Sequence, residues 1–364
     1  MQYRCSACRQ SASVTDTRPH CPCGGLWDLE YSPPAFHESL IQKNIWGLLR
    51  YARFLPVLEQ HLQQVTLGEG MTPILQLDDD VLLKMDYFMP TLSYKDRGAA
   101  VLIAHAKSIS ISSVVQDSSG NAGNSIAAYC ARANIQCEIF VPDGVSPAKA
   151  NMIESHGATL RIVSGSREDC AQACRQAARQ QGKFYASHVY NPFFYEGTKT
   201  YIYEVFEQLG YMPQTIFVPV GNGTLFLGIV KGLEELIAGG NINAMPHIVA
   251  IQSEHCAPLQ AAFLAGDSEP QRVHTRATLA EGIAISAPLR GKKILEKAYQ
   301  YGMEFILAPE DRIIPARGLL AQKGIYCEHT SAAIYAAYLA YREKHGHTGA
   351  CLLPITGAGL KSDH

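Results

Sequence analysis

The sequence predicts an α/β protein built on two parallel sheets, preceded by a small cysteine-rich module. Three observations carry this expectation. Short β-branched runs alternate with helical segments from about residue 110 onward, several of these runs are apolar throughout, and the 364 residues are 47% apolar. Continuously apolar strands joined by helices belong in parallel sheets covered on both faces, and a chain of this length and composition can fill two cores.

In chain order, the first thirty residues are rich in Cys and Gly and have no helical period. Residues 31–65 hold a helical stretch marked by Ile45, Leu48, Leu49, Phe54 and Leu55, suited to packing on the main body or on a second subunit. Asp96 to Lys107 reads as a helix lined by Ala99, Ala100, Leu102, Ile103 and Ala106. Strands are expected at Ser113–Gln116, Cys137–Val141, Thr159–Val163, Thr215–Val220, His247–Gln252, Glu304–Leu307 and Cys351–Ile355. Helices fall between them at Ala122–Arg132, Arg167–Gln180, Gly197–Leu209 and Leu289–Tyr301. Gly157, Gly182, Gly210 and Gly302 stand where helices end in a left-handed residue. The expected division is a module at 1–30, a smaller α/β domain at 66–185, and a larger one formed by 31–65 and 186–364.

Composition excludes several function classes. Thirty-one basic residues against 33 acidic ones give a net charge of −2, which offers no electrostatic case for nucleic acid or an anionic membrane. The most apolar stretch, Thr215 to Val230, is interrupted by Pro219, Gly221, Asn222 and Gly223, so no membrane span is expected. No secretory signal is expected behind Met1-Gln2-Tyr3-Arg4-Cys5. Most of the eleven cysteines are single and scattered, the usage of reduced thiols, which points to the cytoplasm.

Five constellations can carry chemistry. Lys95, in Ser93-Tyr94-Lys95-Asp96-Arg97-Gly98, sits at a helix N-terminus. There the dipole disfavours added positive charge, and only a neutral amine attacks a carbonyl; taken alone, it reads more readily as a solvated surface lysine. Ser118-Ser119-Gly120-Asn121-Ala122-Gly123-Asn124 joins a strand to a helix, an arrangement whose free N–H groups suit a carboxylate but which also serves as a plain connection. Gly221-Asn222-Gly223-Thr224-Leu225, after a strand and with Gly228 beyond, favours a phosphate. Its G-x-G-x-x-x-x-G spacing departs from the dinucleotide fingerprint, and no Lys-Ser/Thr pair follows as a P-loop requires. Thr356-Gly357-Ala358-Gly359 follows a strand end, where open parallel sheets place ligands, although a simple turn has the same composition. Cys5, Cys8, Cys21 and Cys23 form two close pairs able to close a structural tetrahedral zinc site, with His20 as a substitute ligand.

In this order the motifs resemble threonine synthase and its relatives, the fold-type-II pyridoxal-phosphate enzymes that include tryptophan synthase β and the serine/threonine dehydratases. The resemblance spans nearly the whole chain, through Cys5 to Gly25, Leu67-Gly68-Glu69-Gly70-Met71-Thr72-Pro73, Ser93 to Gly98, Ser118 to Gly123, Asn191-Pro192, Glu196-Gly197-Thr198-Lys199-Thr200, Gly221 to Leu225 and Thr356 to Lys361. It implies that Lys95 is the Schiff-base lysine and moves the substrate α-proton. It implies that Asn121 bonds the cofactor's ring oxygen while Ser118, Ser119, Gly120, Ala122 and Gly123 grip the substrate carboxylate. It further implies that Gly221, Asn222, Gly223, Thr224 and Leu225 hold the cofactor phosphate and that Thr356 faces the pyridine nitrogen. A hydroxyl in that place implies a largely neutral ring and chemistry of elimination and replacement.

The expected activity is therefore pyridoxal-phosphate-dependent elimination or replacement on a small β- or γ-substituted amino acid, threonine synthase first, in a homodimer. A Ser/Thr dehydratase or a β-replacement synthase of the cysteate-forming kind is the alternative, and a non-catalytic cofactor-binding protein stands in a different class. One departure bears on the substrate. Phe193-Phe194-Tyr195 stands where threonine synthases of this kind carry an arginine, the natural partner of a substrate phosphate. Lys149, Lys199, Arg290 and Arg317 are candidate replacements, and Glu281 is a further candidate carboxylate.

Overall fold

The computed structural model describes residues 1–347 and 349–361. The chain divides into two compact units, the first formed by Met1–Met71 and Met89–Thr200, the second by Thr72–Phe88 and the described residues of 201–361. Each is an α/β unit with its own core.

The first unit holds a parallel sheet ordered Thr159–Val163, Gln136–Pro142, Ser113–Gln116, Phe184–Tyr185. The Lys95–Ser108 and Asn121–Ala133 helices bury nearly all their residues from Asp96 to Ala106 and from Ala122 to Cys130. A helix apolar on every side belongs inside a core, and each Leu or Ile so buried contributes about 1.5–3 kcal/mol. The cysteine-rich segment is a small antiparallel sheet, Ser11–Ala12, Gln2–Cys5 and Trp27–Glu30. Its Tyr3, Trp27 and Leu29 share one core with Leu102, Ile103 and Phe193, so the module is an extension of this unit.

The second unit holds a six-stranded sheet ordered Glu304–Ala308, His247–Ser253, Thr215–Pro219, Cys351–Pro354, Val81–Lys84, Ile74–Asp78. All pairs are parallel except the last, an antiparallel hairpin. All seven expected strands are present within a residue or two, and Gly157, Gly182, Gly210 and Gly302 all have positive φ.

Three boundaries differ from the sequence expectation, and one is that residues 186–200, expected in the larger domain, belong to the first unit. Residues 31–65 belong to the first unit, because Leu48, Ala52, Leu55, Leu62 and Val65 pack into the same core as the Lys95–Ser108 helix. Thr72–Phe88 belongs to the second, because Val81–Lys84 pairs with Cys351–Pro354 at the far end of the chain. The helix expected at Gly197–Leu209 is two helices, Phe193–Thr198 and Thr200–Leu209. The first of them starts earlier because Asn191 accepts the Phe193 N–H at 3.0 Å and so initiates the turn.

Candidate active site

Lys95 is the first residue of its helix. Its Nζ donates to the Tyr94 hydroxyl and lies 4.2 Å from the Tyr94 ring centre and 6.0 Å from that of Phe194. Ser93 Oγ, two residues earlier, is buried with no hydrogen-bond partner, as befits a group reserved for a ligand. The next residue, Asp96, is fully buried and fixes the helix start. Its carboxylate accepts from Thr91 N at 2.7 Å, Thr91 Oγ1 at 2.5 Å and Ser125 Oγ at 2.5 Å. Burial, reinforced by the Lys95 charge, holds the His188 imidazole well below its ordinary range, and its Nδ1 has no hydrogen-bond partner.

The Ser118–Gly123 loop follows the Ser113–Gln116 strand and opens the Asn121–Ala133 helix. Gly120 caps that helix with extended backbone, and its N–H reaches Ser118 Oγ at 3.3 Å. A Cβ on Gly123 would overlap the Ser118 carbonyl oxygen, so glycine is required for this loop to close on itself. The preceding Asp117 accepts from the Tyr185 hydroxyl at 2.6 Å, and burial raises its carboxyl. The loop therefore has a fixed shape at a helix N-terminus, the geometry of an anion cup.

In the second unit, the Gly221–Leu225 loop leaves the Thr215–Pro219 strand and starts the Thr224–Ala238 helix. Gly223 is left-handed (φ +78°) and abuts Ile294, and a Cβ on Gly221 would come within 3.2 Å of the Gly282 carbonyl. Both glycines let backbone approach closely at a helix N-terminus. Thr356 lies two residues past the neighbouring parallel strand, Cys351–Pro354, so cradle and hydroxyl stand together at the carboxyl ends of adjacent strands. Thr356 is almost fully buried, and its Oγ1 donates to Glu328 Oε1 at 2.9 Å and lies 3.0 Å from Ser331 Oγ. A phosphorylated heterocycle fits this donor set: backbone N–H groups for its phosphate and a hydroxyl for its ring.

Cys5, Cys8, Cys21 and Cys23 place their four Sγ atoms within 4.8 Å of one another. Gly25 is required there, since a Cβ would come within 2.6 Å of Cys5 Sγ. The four sulfurs act on one another: the Cys23 thiol is drawn down to about 6, first by a backbone hydrogen bond at Gly25 and then by its sulfur neighbours, while the Cys8 and Cys21 thiols are pushed up. His20 is not a fifth member, because its Nδ1 is 2.9 Å from the Cys21 carbonyl and its Nε2 3.0 Å from Arg179.

The candidate cations are distributed differently from one another. Lys199 is fully buried in an ion pair with Glu196 at 2.8 Å, which commits it to structure. Arg290 is buried as the residue before the Gly291–Gln300 helix, and Lys149 lies in the first turn of Pro147–Ser155. Arg317 lies beside the Thr356 segment, donating to the Cys327 carbonyl at 2.8 Å and abutting Gly359. Glu281 is exposed in the turn that packs on Gly221. Phe194 takes the space beside Lys95: its ring presses on Gly98, where a Cβ would overlap it. Sequence reasoning missed Glu328, Ser331 and His188. Only Gly357, whose Cα faces the Glu328 carboxylate too closely for a side chain, carries a trace of the first.

Strand ends that offer a glycine cradle and a buried hydroxyl equip a cofactor-dependent α/β enzyme. The pyridoxal-phosphate dependent enzyme family matches residues 65–357. Threonine synthase of Methanocaldococcus jannaschii is 31% identical over 351 residues, 92% of this chain and 86% of that protein. Threonine synthase of Mycobacterium leprae is 32% identical over 310 residues, 82% of this chain and 83% of that one. Among solved structures, maize serine racemase has a TM-score of 0.71 at 17% identity, over 82% of this chain and 92% of that chain. A threonine deaminase from Solanum lycopersicum has a TM-score of 0.71 at 17% identity, over 90% and 86%. The chain belongs to the pyridoxal-phosphate-dependent enzyme family, with the fold-type-II architecture.

Proposed function

We propose that the protein is a threonine synthase, converting phosphohomoserine and water to threonine and phosphate. Similarity to threonine synthases along 82–92% of the chain supports this reading. The structural observation that carries it is the pairing of the Gly221–Gly223 cradle with the Thr356 hydroxyl on adjacent strand ends. Bound pyridoxal phosphate supplies an aldehyde for amine capture and a ring that delocalises the electrons of the substrate α-carbon.

The residues take the following roles. Lys95 holds the cofactor and then moves the α-proton. Asn121 bonds the ring oxygen, and Ser118, Ser119, Gly120, Ala122 and Gly123 orient the substrate carboxylate. Gly221, Asn222, Gly223, Thr224 and Leu225 hold the cofactor phosphate. Thr356 meets the ring nitrogen. Cys5, Cys8, Cys21 and Cys23 hold a structural zinc ion, four ligands leaving no open position for chemistry.

Phe194 favours a second reading. An apolar ring 6.0 Å from Lys95 Nζ, in a segment where the resemblance calls for an arginine, suits a substrate without a phosphate, as in a Ser/Thr dehydratase. Incubation with phosphohomoserine, threonine, serine and phosphoserine, with phosphate and keto acid assayed separately, decides between the two. Phosphate release with threonine formation supports the synthase, and keto acid from threonine or serine supports the dehydratase.

Among the described residues no helix is long and apolar enough to cross a membrane. A cytoplasmic homodimer is the expected state, with exposed Trp46 as part of its interface. A single-mass species at the monomer value in sedimentation would remove the dimer.

A further inference from the structure

Four parallel strands of the second unit end side by side, in the order Glu304–Ala308, His247–Ser253, Thr215–Pro219 and Cys351–Pro354. The Gly221 cradle leaves the third of them, and one wall of it is a long irregular connection. From Asp267 to Ala280 the chain makes neither helix nor strand; it then turns through Glu281–Ile283 and lies against Gly221. A Cβ on Gly221 would come within 3.0 Å of the Ile285 side chain and 3.2 Å of the Gly282 carbonyl. A connection of this length has no ladder to set its shape. Burial does not set it either, since Leu279 is 40% exposed.

Side-chain anchors do, and they converge on Glu310, two residues past the Glu304–Ala308 strand. Glu310 Oε1 accepts from Leu279 N at 2.6 Å and its Oε2 from Thr278 Oγ1 at 2.6 Å. The Thr278 oxygen in turn accepts from Ser253 Oγ at 2.9 Å and from Ala280 N at 3.1 Å. Ser253 Oγ accepts from His255 N at 3.1 Å, and the His255 ring donates through Nδ1 to the Ala277 carbonyl at 2.5 Å. A carboxylate can only accept and a backbone N–H can only donate, so these bonds run in one direction, from His255 N to Glu310. The carboxylate is held in place by its own N–H, which donates to Glu254 at 3.1 Å. Beyond this knot, Gly282 N donates to Thr330 Oγ1 at 3.2 Å, where the segment reaches the cradle.

We propose that Glu310 is a positioning residue for the cofactor phosphate: it fixes the 277–285 segment as a wall of the Gly221 cradle and acts through that segment. The inference rests on the reading that Gly221–Leu225 hold the phosphate. Backbone N–H groups at a helix N-terminus bind an anion tightly when their positions are set beforehand, and a wall against Gly221 sets them. Without the carboxylate, Leu279 N and the Thr278 hydroxyl lose their common acceptor, and the wall relaxes away from the cradle.

The test compares wild-type holoenzyme with Glu310→Ala, Glu310→Gln and Thr278→Val. Two quantities are read: the dissociation constant of pyridoxal phosphate in equilibrium dialysis, and the phosphorus-31 resonance of the bound phosphate. Glu310→Ala is expected to raise the constant about tenfold or more and to move the resonance. Glu310→Gln keeps one acceptor oxygen for Leu279 N and is expected to fall between alanine and wild type. Thr278→Val cuts the bond to Oε2 at nearly constant side-chain shape, and it carries the test if Glu310→Ala does not fold. Wild-type values of both quantities overturn the proposal. A raised constant with an unmoved resonance also overturns it, because that marks general loosening of the fold and not a displaced wall. Gly221→Ala, in the cradle itself, separates the two levels. If it moves the resonance while the other variants do not, the proposal falls and the phosphate cradle stands. If it leaves the resonance unmoved, the cradle falls and takes the proposal with it.

Discussion

The Ser125 hydroxyl donates to the Asp96 carboxylate at 2.5 Å, joining the helix that begins at Lys95 to the helix that begins at Asn121. Both groups are fully buried. Ser125→Ala removes a donor from a buried carboxylate and is expected to cost about 1.5–3 kcal/mol. Asp96→Ala leaves the Thr91 and Ser125 donors without their acceptor and is expected to cost more. Urea denaturation measures both. Borohydride fixation of the cofactor on Lys95 should fall in Asp96→Ala, because the helix start that orients the lysine is lost; unchanged fixation would place the lysine's orientation elsewhere.

Gly98 and Phe194 are fitted to each other. A methyl on Gly98 must overlap the Phe194 ring, so Gly98→Ala is expected to destabilise by about 1–3 kcal/mol, the usual cost of overfilling a core. Phe194→Leu makes room for it. The double variant should therefore be more stable than the sum of the two single effects, by about 0.5–3 kcal/mol in a thermodynamic cycle. Simple additivity would mean that the two side chains do not meet.

Much of this architecture was legible in the sequence, and what was not has a common cause. The seven strands and the caps at Gly157, Gly182, Gly210 and Gly302 follow from local pattern and were readable. The Val81–Lys84 strand was not, since its partner Cys351–Pro354 lies at the other end of the chain and only tertiary pairing reveals it. The same holds at the site. Lys95, Asn121, Gly221 and Thr356 announce themselves through loops that abut helices or strand ends. Glu328 lies 28 residues from Thr356 on a different element, with nothing local to mark it as that hydroxyl's acceptor.

Glu69 gives a pH signature. Burial raises its carboxyl to about 7, against hydrogen bonds from Leu67 N and the Tyr129 hydroxyl, both at 2.9 Å, that favour the ionised form. The folded value lies above that of the unfolded chain, so the folded state binds the extra proton between about pH 4.3 and 7. The stabilisation from this proton is complete below the lower value and is lost as pH rises through the upper one. The difference is about 4 kcal/mol across that window. Glu69→Gln stays uncharged and should lack this slope. Stability of wild type minus variant, followed by denaturation from pH 4 to 8, should fall as pH rises; a flat difference would contradict the buried-carboxyl account.

The cysteine cluster connects the N-terminal sheet to the lysine helix through stacked rings. Tyr3 stacks on Trp27 at 5.8 Å and meets Phe193 edge-on at 6.2 Å, and Phe193 lies flat on His105 of the Lys95–Ser108 helix at 3.7 Å. A metal held by Cys5, Cys8, Cys21 and Cys23 would brace this stack from outside, with no direct part in the chemistry. Chelation, or Cys5→Ser, is therefore expected to remove one zinc ion per chain and lower the melting temperature, by about 2–4 °C for each kcal/mol lost. Cys256→Ser, at a buried cysteine outside the cluster, should leave the zinc content unchanged. At low temperature the metal-free protein should still carry its cofactor on Lys95, because four thiolates fill a tetrahedral site and leave none of it for substrate. Zinc retained by Cys5→Ser would break the assignment of the ligands, and loss of the cofactor with the metal at low temperature would make the module part of the active site itself.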